Sequence, residues 1–180
     1  YPAPWRKRRN TLASNHSPDI FAEIVAGFST AMSPRYLAVV VLIVAGIAMF
    51  NKVSPWLAAY VPASLILAQA ITTVLKYTIN RPRPPVQEQL VYTYDPSFPS
   101  GHSSAAFTIA TAVIVLLATK TWRAKYPWAV AIMVIVGASA SAASRLYLGV
   151  HWLSDVIAGT GIGIAAALSV WAAGSYVYRR

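Results

Sequence analysis

Histidine and aspartate side chains that could do chemistry stand together near the end of this chain. His151 precedes Asp155 by four residues, so a helix would place both on one face. A carboxylate beside an imidazole fixes the ring tautomer and stabilises the imidazolium, which leaves the other ring nitrogen able to act as a nucleophile or base. The pair could instead be an interfacial histidine with an aspartate near a helix N-terminus. Because ionisable groups at a membrane boundary tend to be functional, we favour the chemical role.

A second block, Pro99–His102, stands directly before a long apolar segment. Ser100 is a good helix N-cap and Gly101 lets a ligand approach the backbone, so the free N–H groups of the helix start could bind an anion. A capped helix that binds nothing has the same local pattern. His102 favours the anion site, because a histidine beside a bound anion can donate a proton to a leaving oxygen.

Three cations near these blocks, Lys76, Arg83 and Arg145, could hold the oxygens of a phosphate. Arginine offers a planar fork of donors to phosphate, whereas lysine acts more as a point charge. Taken singly, each could be a snorkelling residue at a membrane boundary. Arg81 is interpreted as such a residue or as a minor helper at the site. Asp95, in the segment between the blocks, receives no defined role.

Long uncharged segments indicate what positions these residues. The 180-residue chain is 57% hydrophobic and only 11% charged. A bilayer-spanning helix needs about 20 apolar residues, whereas a soluble helix would show a polar face at helical spacing, which these segments lack. The sequence therefore predicts an all-α, polytopic transmembrane bundle with five spans at residues 34–51, 55–75, 102–119, 126–144 and 152–178.

The rest of the chain is predicted to complete one membrane-embedded domain over residues 1–180. Residues 1–16 form a basic tail, and residues 17–33 form a short interfacial amphipathic helix. Residues 76–101 form the proline-rich loop that carries much of the predicted site. Because the spans alternate in direction, this loop and residues 145–151 should emerge on the same side of the membrane.

Charge and composition limit the classes of partner and cofactor that the sequence predicts. The net charge is +10, but the basic residues are scattered at segment ends, which suits lipid headgroups and anionic substrates and indicates no nucleic acid partner. The chain has no cysteine, so disulfides and thiolate chemistry are excluded. Two histidines and one aspartate are a thin ligand set, so we expect neither a metal nor another cofactor. No cleavable signal peptide is expected, because residues 1–20 are polar and basic.

Three motifs in order resemble those of the type 2 phosphatidic acid phosphatase (PAP2) family. Lys76–Pro84 matches K-x6-R-P, Pro99–His102 matches P-S-G-H, and Ser144–Asp155 matches S-R-x5-H-x3-D, all without substitution. Each motif alone is moderately specific, and the three together are highly specific. The resemblance covers roughly residues 33–178 and implies a helical bundle of the PAP2 and haloperoxidase type.

The resemblance also implies roles for the site residues. His151 would be the nucleophile that forms a phosphohistidine, Asp155 would orient it, and His102 would protonate the leaving alcohol. The residues expected to bind the phosphate are Lys76, Arg83, Ser100, Gly101 and Arg145. The family works without metal. Its membrane members commonly have six spans, so either a first span lies upstream of residue 1 or this is a shorter member.

The function expected from the resemblance is hydrolysis of a lipid phosphomonoester or diphosphate. Candidate substrates are a polyprenyl diphosphate such as undecaprenyl diphosphate, phosphatidylglycerol phosphate, and phosphatidic acid. One alternative is a lipid-linked phosphotransferase that uses the same site, and another is a non-catalytic protein that binds lipid phosphates in the bilayer. The expected location is the bacterial plasma (inner) membrane with the site outside the cytoplasm, and the oligomeric state is left open.

Overall fold

This computed structural model describes residues 20–119, 121 and 123–177. That part of the chain contains six α-helices, a single 3₁₀ turn at Val86–Glu88, and no β-strand. The helices are α1 (Ile20–Ala31), α2 (Pro34–Phe50), α3 (Pro55–Ile79), α4 (Gly101–Ala118), α5 (Pro127–Tyr147) and α6 (Leu153–Val177). The predicted basic tail 1–16, the start of the predicted interfacial helix and the last residue of the predicted final span lie outside the described residues.

Four helices, α3 to α6, are each long and apolar enough to cross a membrane. The helix α2 has only 17 residues, fewer than the about 20 that a span needs. Together, α1 and α2 meet the same requirement as a broken span with a 46° bend between them. The predicted number of five spans therefore depends on counting this pair as one, since residues 34–51 do not form a full-length span alone.

Helix α4 lies at the centre and packs against α3, α5 and α6. Its buried residues are small, and they include Ser104, Ala105 and Ala112. Opposite them on α6, a Cβ added at Gly163 would collide with backbone atoms of α4, and one added at Gly159 with the backbone carbonyl of Ser100, the residue just before α4. The two helices can approach this closely only because both glycines lack a side chain.

Two predicted boundaries differ from the structure by three residues or more. Helix α3 continues to Ile79 instead of ending at 75, and α5 continues to Tyr147 instead of ending at 144. The charges at Lys76 and Arg145 do not end these helices, because cations in a last turn interact favourably with the helix dipole. The helices end instead where the backbone becomes left-handed, at Asn80 with φ of 48° and near Gly149 with φ of 67°.

As a result, Lys76 and Arg145 lie in last helical turns and not in connecting segments. The long irregular segment runs from residue 80 to 100 and is therefore shorter than the predicted loop 76–101. Because both cations lie on helices, their side chains start from fixed backbone positions at the same end of the bundle.

Candidate active site

The predicted site segments meet at one end of the bundle. The end of α3, the loop 80–100, the start of α4 and the α5–α6 connection enclose a cavity of about 540 Å³. Its lining includes six predicted site residues: Lys76, Arg83, Gly101, His102, Arg145 and His151. The two segments expected on the same side of the membrane are thus in contact around one space.

The side chain of His151 is held from one side by Asp155. Its Nδ1 lies 3.4 Å from the Asp155 Oδ2, which also accepts the Trp152 backbone N–H at 2.9 Å. Because a carboxylate only accepts, Nδ1 is the nitrogen that carries the hydrogen. The other ring nitrogen, Nε2, lies 3.3 Å from Nη1 of Arg83, on the cavity side. The arrangement leaves a nitrogen lone pair beside a cation that could hold an anion.

Burial keeps His151 neutral. Only 5% of the residue is exposed, and this desolvation lowers its pKa to about 4 against the opposing effect of the Asp155 hydrogen bond. The nearby positive charges of Arg83, Arg145 and Lys76 lower the pKa further. Near neutral pH the imidazole is therefore uncharged, with a hydrogen on Nδ1 only. This is the form that can act as a nucleophile.

Asp155 itself is fully buried and has a second cationic partner. The Nη1 of Arg81 donates to Asp155 Oδ1 at 2.9 Å and to Ser154 Oγ at 2.6 Å. The backbone carbonyl of Asp155 accepts the Ser100 N–H at 3.0 Å, which joins the start of α4 to the start of α6. The carboxylate is thus fixed by Arg81 and by the Trp152 backbone while it faces His151.

A carboxylate bridges two of the three cations around His151. Asp95 lies 2.8 Å from Lys76 Nζ through one oxygen and 2.8 Å from Arg83 Nη2 through the other. The backbone carbonyl of Asp95 also accepts Arg83 Nε at 2.7 Å. Burial alone would raise the Asp95 pKa, but the hydrogen bonds and charges of Lys76 and Arg83 lower it below its ordinary value. Asp95 therefore occupies donors that an anionic ligand would need.

Helix α1 supplies an unexpected partner for the second histidine and the third cation. Ser29 is 2% exposed, its carbonyl lies 3.1 Å from His102 Nε2, and its Oγ accepts from Arg145 Nη1 at 2.6 Å. Since a carbonyl only accepts, His102 Nε2 carries the hydrogen here and Nδ1 is the acceptor. Ser29 thereby orients two side chains that line the cavity.

The start of α4 is built as the sequence predicts. Ser100 is fully buried, and its Oγ accepts the Ser103 N–H at 3.4 Å as an N-cap. The first-turn N–H groups that follow have no intrahelical acceptor and mark the positive end of the helix dipole. An added Cβ at Gly101 would meet its nearest neighbour at 3.7 Å, an ordinary contact. A small side chain would therefore fit at position 101. Because glycine has no side chain, this space remains part of the cavity.

Three residues of the site received from the sequence either no role in it or only a possible minor one. Arg81 was interpreted as a snorkelling residue or minor helper but pairs with Asp155, Asp95 was given no role, and Ser29 was placed only within the interfacial helix. The scarcity of acids was a usable signal for Asp95, since the chain has only five. Nothing in the local sequence of Ser29 indicates a contact with residues more than 70 positions away.

The described residues contain no group of three or more His, Asp or Glu side chains that could hold a metal ion. The expectation that no metal or other cofactor takes part stays a prediction.

A cavity lined by the three predicted cations and two histidines, at one end of a bundle of helices long and apolar enough to cross a membrane, defines a class of integral membrane protein with a positively charged site. The family model described as "PAP2 superfamily" matches residues 57–179. This chain belongs to the PAP2 superfamily, as its three motifs indicated.

Two proteins of known name are similar in sequence to this chain over part of their length. Phosphatidylglycerophosphatase B of Bacillus subtilis is 30% identical over 148 residues, which cover 79% of this chain and 70% of that protein. Undecaprenyl-diphosphatase of Sulfolobus acidocaldarius is 35% identical over 105 residues, or 56% of this chain. The match spans only 47% of the Sulfolobus protein, about half its length.

Two solved structures share the fold. The transmembrane PAP2-type phosphatidylglycerolphosphate phosphatase from Bacillus subtilis superposes with a TM-score of 0.78 at 25% identity, covering 91% of this chain and 80% of that one. Aquifex aeolicus LpxE superposes with a TM-score of 0.67 at 25% identity, covering 89% and 90%. The helical bundle is therefore the fold of transmembrane PAP2 phosphatases.

Proposed function

We propose that this protein is a membrane lipid phosphatase that removes a phosphoryl group from a lipid phosphomonoester or diphosphate through a phosphohistidine. The observation that carries the proposal is the His151 ring, whose Nδ1 faces Asp155 while Nε2 lies beside Arg83 on the cavity side. The names of its relatives support a lipid substrate, since they are an undecaprenyl-diphosphatase and a phosphatidylglycerophosphatase. Phosphatidic acid is a third candidate.

In the first step, the substrate phosphate replaces the Asp95 carboxylate between Lys76 and Arg83. Arg145 and the start of α4 at Gly101 supply further donors. Ser100 was predicted to bind the phosphate as well, but its backbone N–H is already bound to the Asp155 carbonyl and it does not line the cavity. The lone pair of His151 Nε2 attacks phosphorus while the bond to the lipid oxygen breaks. Asp155 stabilises the positive charge that the ring acquires, and the cations stabilise the charge on the equatorial oxygens.

His102 handles the proton in this scheme. In its protonated form it would donate from Nδ1 to the departing lipid oxygen, because Nε2–H is held by the Ser29 carbonyl. In the second step, neutral His102 takes a proton from water as the water oxygen attacks phosphorus and the bond to His151 Nε2 breaks. Inorganic phosphate then leaves, and Asp95 returns to Lys76 and Arg83.

We further propose that no metal is needed and that the site faces outward from a bacterial plasma membrane. Lys76, Arg83 and Arg145 offer the positive charge that a metal would otherwise provide. The orientation is supported by Arg123 and Lys125, which lie in the short α4–α5 connection at the end of the bundle opposite the site. Short basic connections favour the cytoplasmic side.

The test is phosphate release in detergent with EDTA present, from undecaprenyl diphosphate, phosphatidylglycerol phosphate and phosphatidic acid. We expect release from at least one lipid and a loss of roughly a thousandfold or more in His151→Ala. The matched control is His16→Ala, which removes the histidine outside the motifs and beyond the described residues. Activity of His151→Ala within about tenfold of the parent, or a requirement for added metal, would overturn the proposal.

A further inference from the structure

Arg81 is a cation at the site end of the bundle that does not line the cavity. Lys76, Arg83 and Arg145 line the cavity together with His151, whereas Arg81 is not among the lining residues. Its guanidinium instead reaches Asp155, where Nη1 donates to Oδ1 at 2.9 Å. Any effect of Arg81 on a phosphate in this cavity would therefore pass through Asp155.

Several contacts hold Arg81 in this place. Its Nη1 also donates to Ser154 Oγ at 2.6 Å, and its guanidinium carbon lies 5.7 Å from the ring centroid of Trp152, a cation–π distance. The Trp152 Nε1–H in turn donates to the Pro82 carbonyl at 3.1 Å. The backbone carbonyl of Arg81 accepts the Ser97 N–H at 2.9 Å. A side chain that only snorkelled toward water would not need these partners, so they favour a defined role.

The Asp155 carboxylate divides its two oxygens between different partners. Oδ1 accepts from Arg81, whereas Oδ2 lies 3.4 Å from His151 Nδ1 and accepts the Trp152 N–H at 2.9 Å. Because the Trp152 N–H holds Oδ2 without help from Arg81, the carboxylate should still face His151 when the guanidinium is removed. Since Asp155 is fully buried and the Arg81 side chain is 36% exposed, solvent screens this ion pair only in part. The charge of Arg81 therefore offsets part of the carboxylate charge that His151 experiences.

We propose that Arg81 is a positioning residue that acts through Asp155 to keep the phosphorylated His151 ring reactive, an inference that rests on the proposed phosphatase function. The phosphorylated ring carries a positive charge, with phosphorus on Nε2 and hydrogen on Nδ1. Asp155 stabilises that charge, and without Arg81 the carboxylate would stabilise it more strongly. Stronger stabilisation favours formation of the phosphohistidine but slows its breakdown, and Arg81 limits it.

Breakdown of the phosphohistidine is the step that Arg81 assists. When a water oxygen bonds to phosphorus, the bond between phosphorus and His151 Nε2 breaks and its electron pair returns to the nitrogen. One water proton passes to neutral His102, inorganic phosphate leaves, and the His151 ring becomes neutral again. Because the ring loses its positive charge in this step, surroundings that stabilise the charged ring raise the barrier. A cation on the other oxygen of Asp155 lowers that barrier.

Arg81→Gln tests this inference by NMR titration of His151, by the fraction of protein present as phosphohistidine during turnover, and by the inhibition constant of inorganic phosphate. We expect the His151 pKa to rise from about 4 to about 5, because the less neutralised carboxylate favours the imidazolium. The other titratable and charged groups that face His151 stay the same in this variant, namely Asp155, Lys76, Arg83, His102 and Arg145. Since one pKa unit corresponds to a tenfold change, phosphohistidine breakdown should slow by up to about tenfold and the phosphohistidine should accumulate. The inhibition constant of phosphate should stay close to the parental value, because Arg81 does not line the cavity.

Two further variants separate the charge of Arg81 from its place in the fold. Arg81→Lys keeps the charge, so its His151 pKa and breakdown rate should stay closer to those of the parent than in Arg81→Gln. The control Arg123→Gln removes an exposed arginine from the α4–α5 connection at the opposite end of the bundle. It should match the parent in all three measurements.

The outcomes distinguish this inference from the proposed function. An unchanged or lower His151 pKa in Arg81→Gln, or the same change in Arg81→Lys, would show that the charge of Arg81 does not act through Asp155. A raised inhibition constant of phosphate would make Arg81 a phosphate ligand and overturn the inference as well. If the parent protein releases phosphate from no lipid and forms no phosphohistidine, the proposed function is wrong, while the His151 titration still decides the link to Arg81. A higher His151 pKa with slower breakdown, absent from Arg123→Gln, supports the inference.

Discussion

At the scale of single residues, the chemistry of His151 depends on what surrounds it. An exposed histidine is half protonated near pH 6.5, but burial among cations holds the His151 pKa at about 4. The neutral ring is then the major form at the pH of most cells. The cations that would bind the substrate phosphate therefore also keep the proposed nucleophile, His151, in its neutral form.

The pKa of His151 can be measured by NMR titration of the imidazole protons in detergent. We expect His151 to titrate near pH 4, because protonation must overcome both desolvation and the repulsion of Arg83. The chain has only three histidines, so single substitutions assign the signals. The sign also predicts that nucleophilic attack by His151 slows as the pH falls through about 4, where its ring becomes protonated. A titration near the ordinary value would contradict the buried environment.

Asp95 has the opposite effect on the site, because its carboxylate binds donor groups that the substrate phosphate would need. Its carboxylate is bound to Lys76 and Arg83 at 2.8 Å each, and its own side chain is 44% exposed. Partial exposure leaves it able to swing away, which a fully buried carboxylate could not do. We infer that substrate and product phosphate both compete with Asp95 for these donors.

Asp95→Asn should therefore lower the inhibition constant of inorganic phosphate, by about tenfold if the competition is worth about 1.4 kcal/mol. The measurement is inhibition of phosphate release from a chromogenic monoester. Glu88→Gln is the matched control, because it removes the same charge from an exposed position in the same loop. If Asp95→Asn instead raises the inhibition constant, Asp95 serves to hold Lys76 and Arg83 in place.

At the scale of helices, most of the fold could be predicted. Spans over residues 55–75 and 102–119 follow from apolar length and from Ser-Pro or Ser-Gly starts, which leave a clear signal at the N-terminus. C-terminal ends were predicted less well, because charged residues such as Lys76 and Arg145 look like the end of a span yet are good final-turn residues. Backbone conformation at Asn80 and Gly149 decided those ends.

Close packing of α4 on α6 gives a prediction for the glycines of α6. Gly163→Ala should lower the thermal unfolding midpoint in detergent, because its Cβ would overlap the backbone of α4 at Ser104 and Thr108. Overpacking of this kind costs typically about 1–3 kcal/mol. Gly161→Ala is the control, as nothing lies within 4 Å of the added carbon. Equal midpoints for the two variants would contradict the packing of these helices.

At the scale of the whole molecule, the convergence of the site could be predicted by counting spans, but its cross-connections could not. Alternating spans bring Arg83 and His151 to one end, and the structure has them 3.3 Å apart. The pairing of Arg81 with Asp155 and of Ser29 with Arg145 depends on how loops and helices tilt in three dimensions. Hydrophobic pattern carries no information on such polar contacts.

The proposed orientation can be tested with an impermeant maleimide on intact bacterial cells. Because the chain has no cysteine, Tyr94→Cys and Lys125→Cys each introduce a single thiol. Tyr94 is 90% exposed in the loop at the site end, and Lys125 lies at the opposite end. We expect Tyr94→Cys to be labelled in intact cells and Lys125→Cys only after permeabilisation. The reverse pattern would place the site in the cytoplasm.

The most direct test of the central claim is to trap the covalent intermediate. The purified protein would be mixed with lipid phosphate labelled on the transferred phosphorus, quenched with base within one turnover, and mapped by mass spectrometry. We predict a base-stable, acid-labile phosphoryl group on His151, absent from His151→Ala and present in His16→Ala. Turnover without any labelled protein, or with the phosphoryl group on a residue other than His151, would contradict the account.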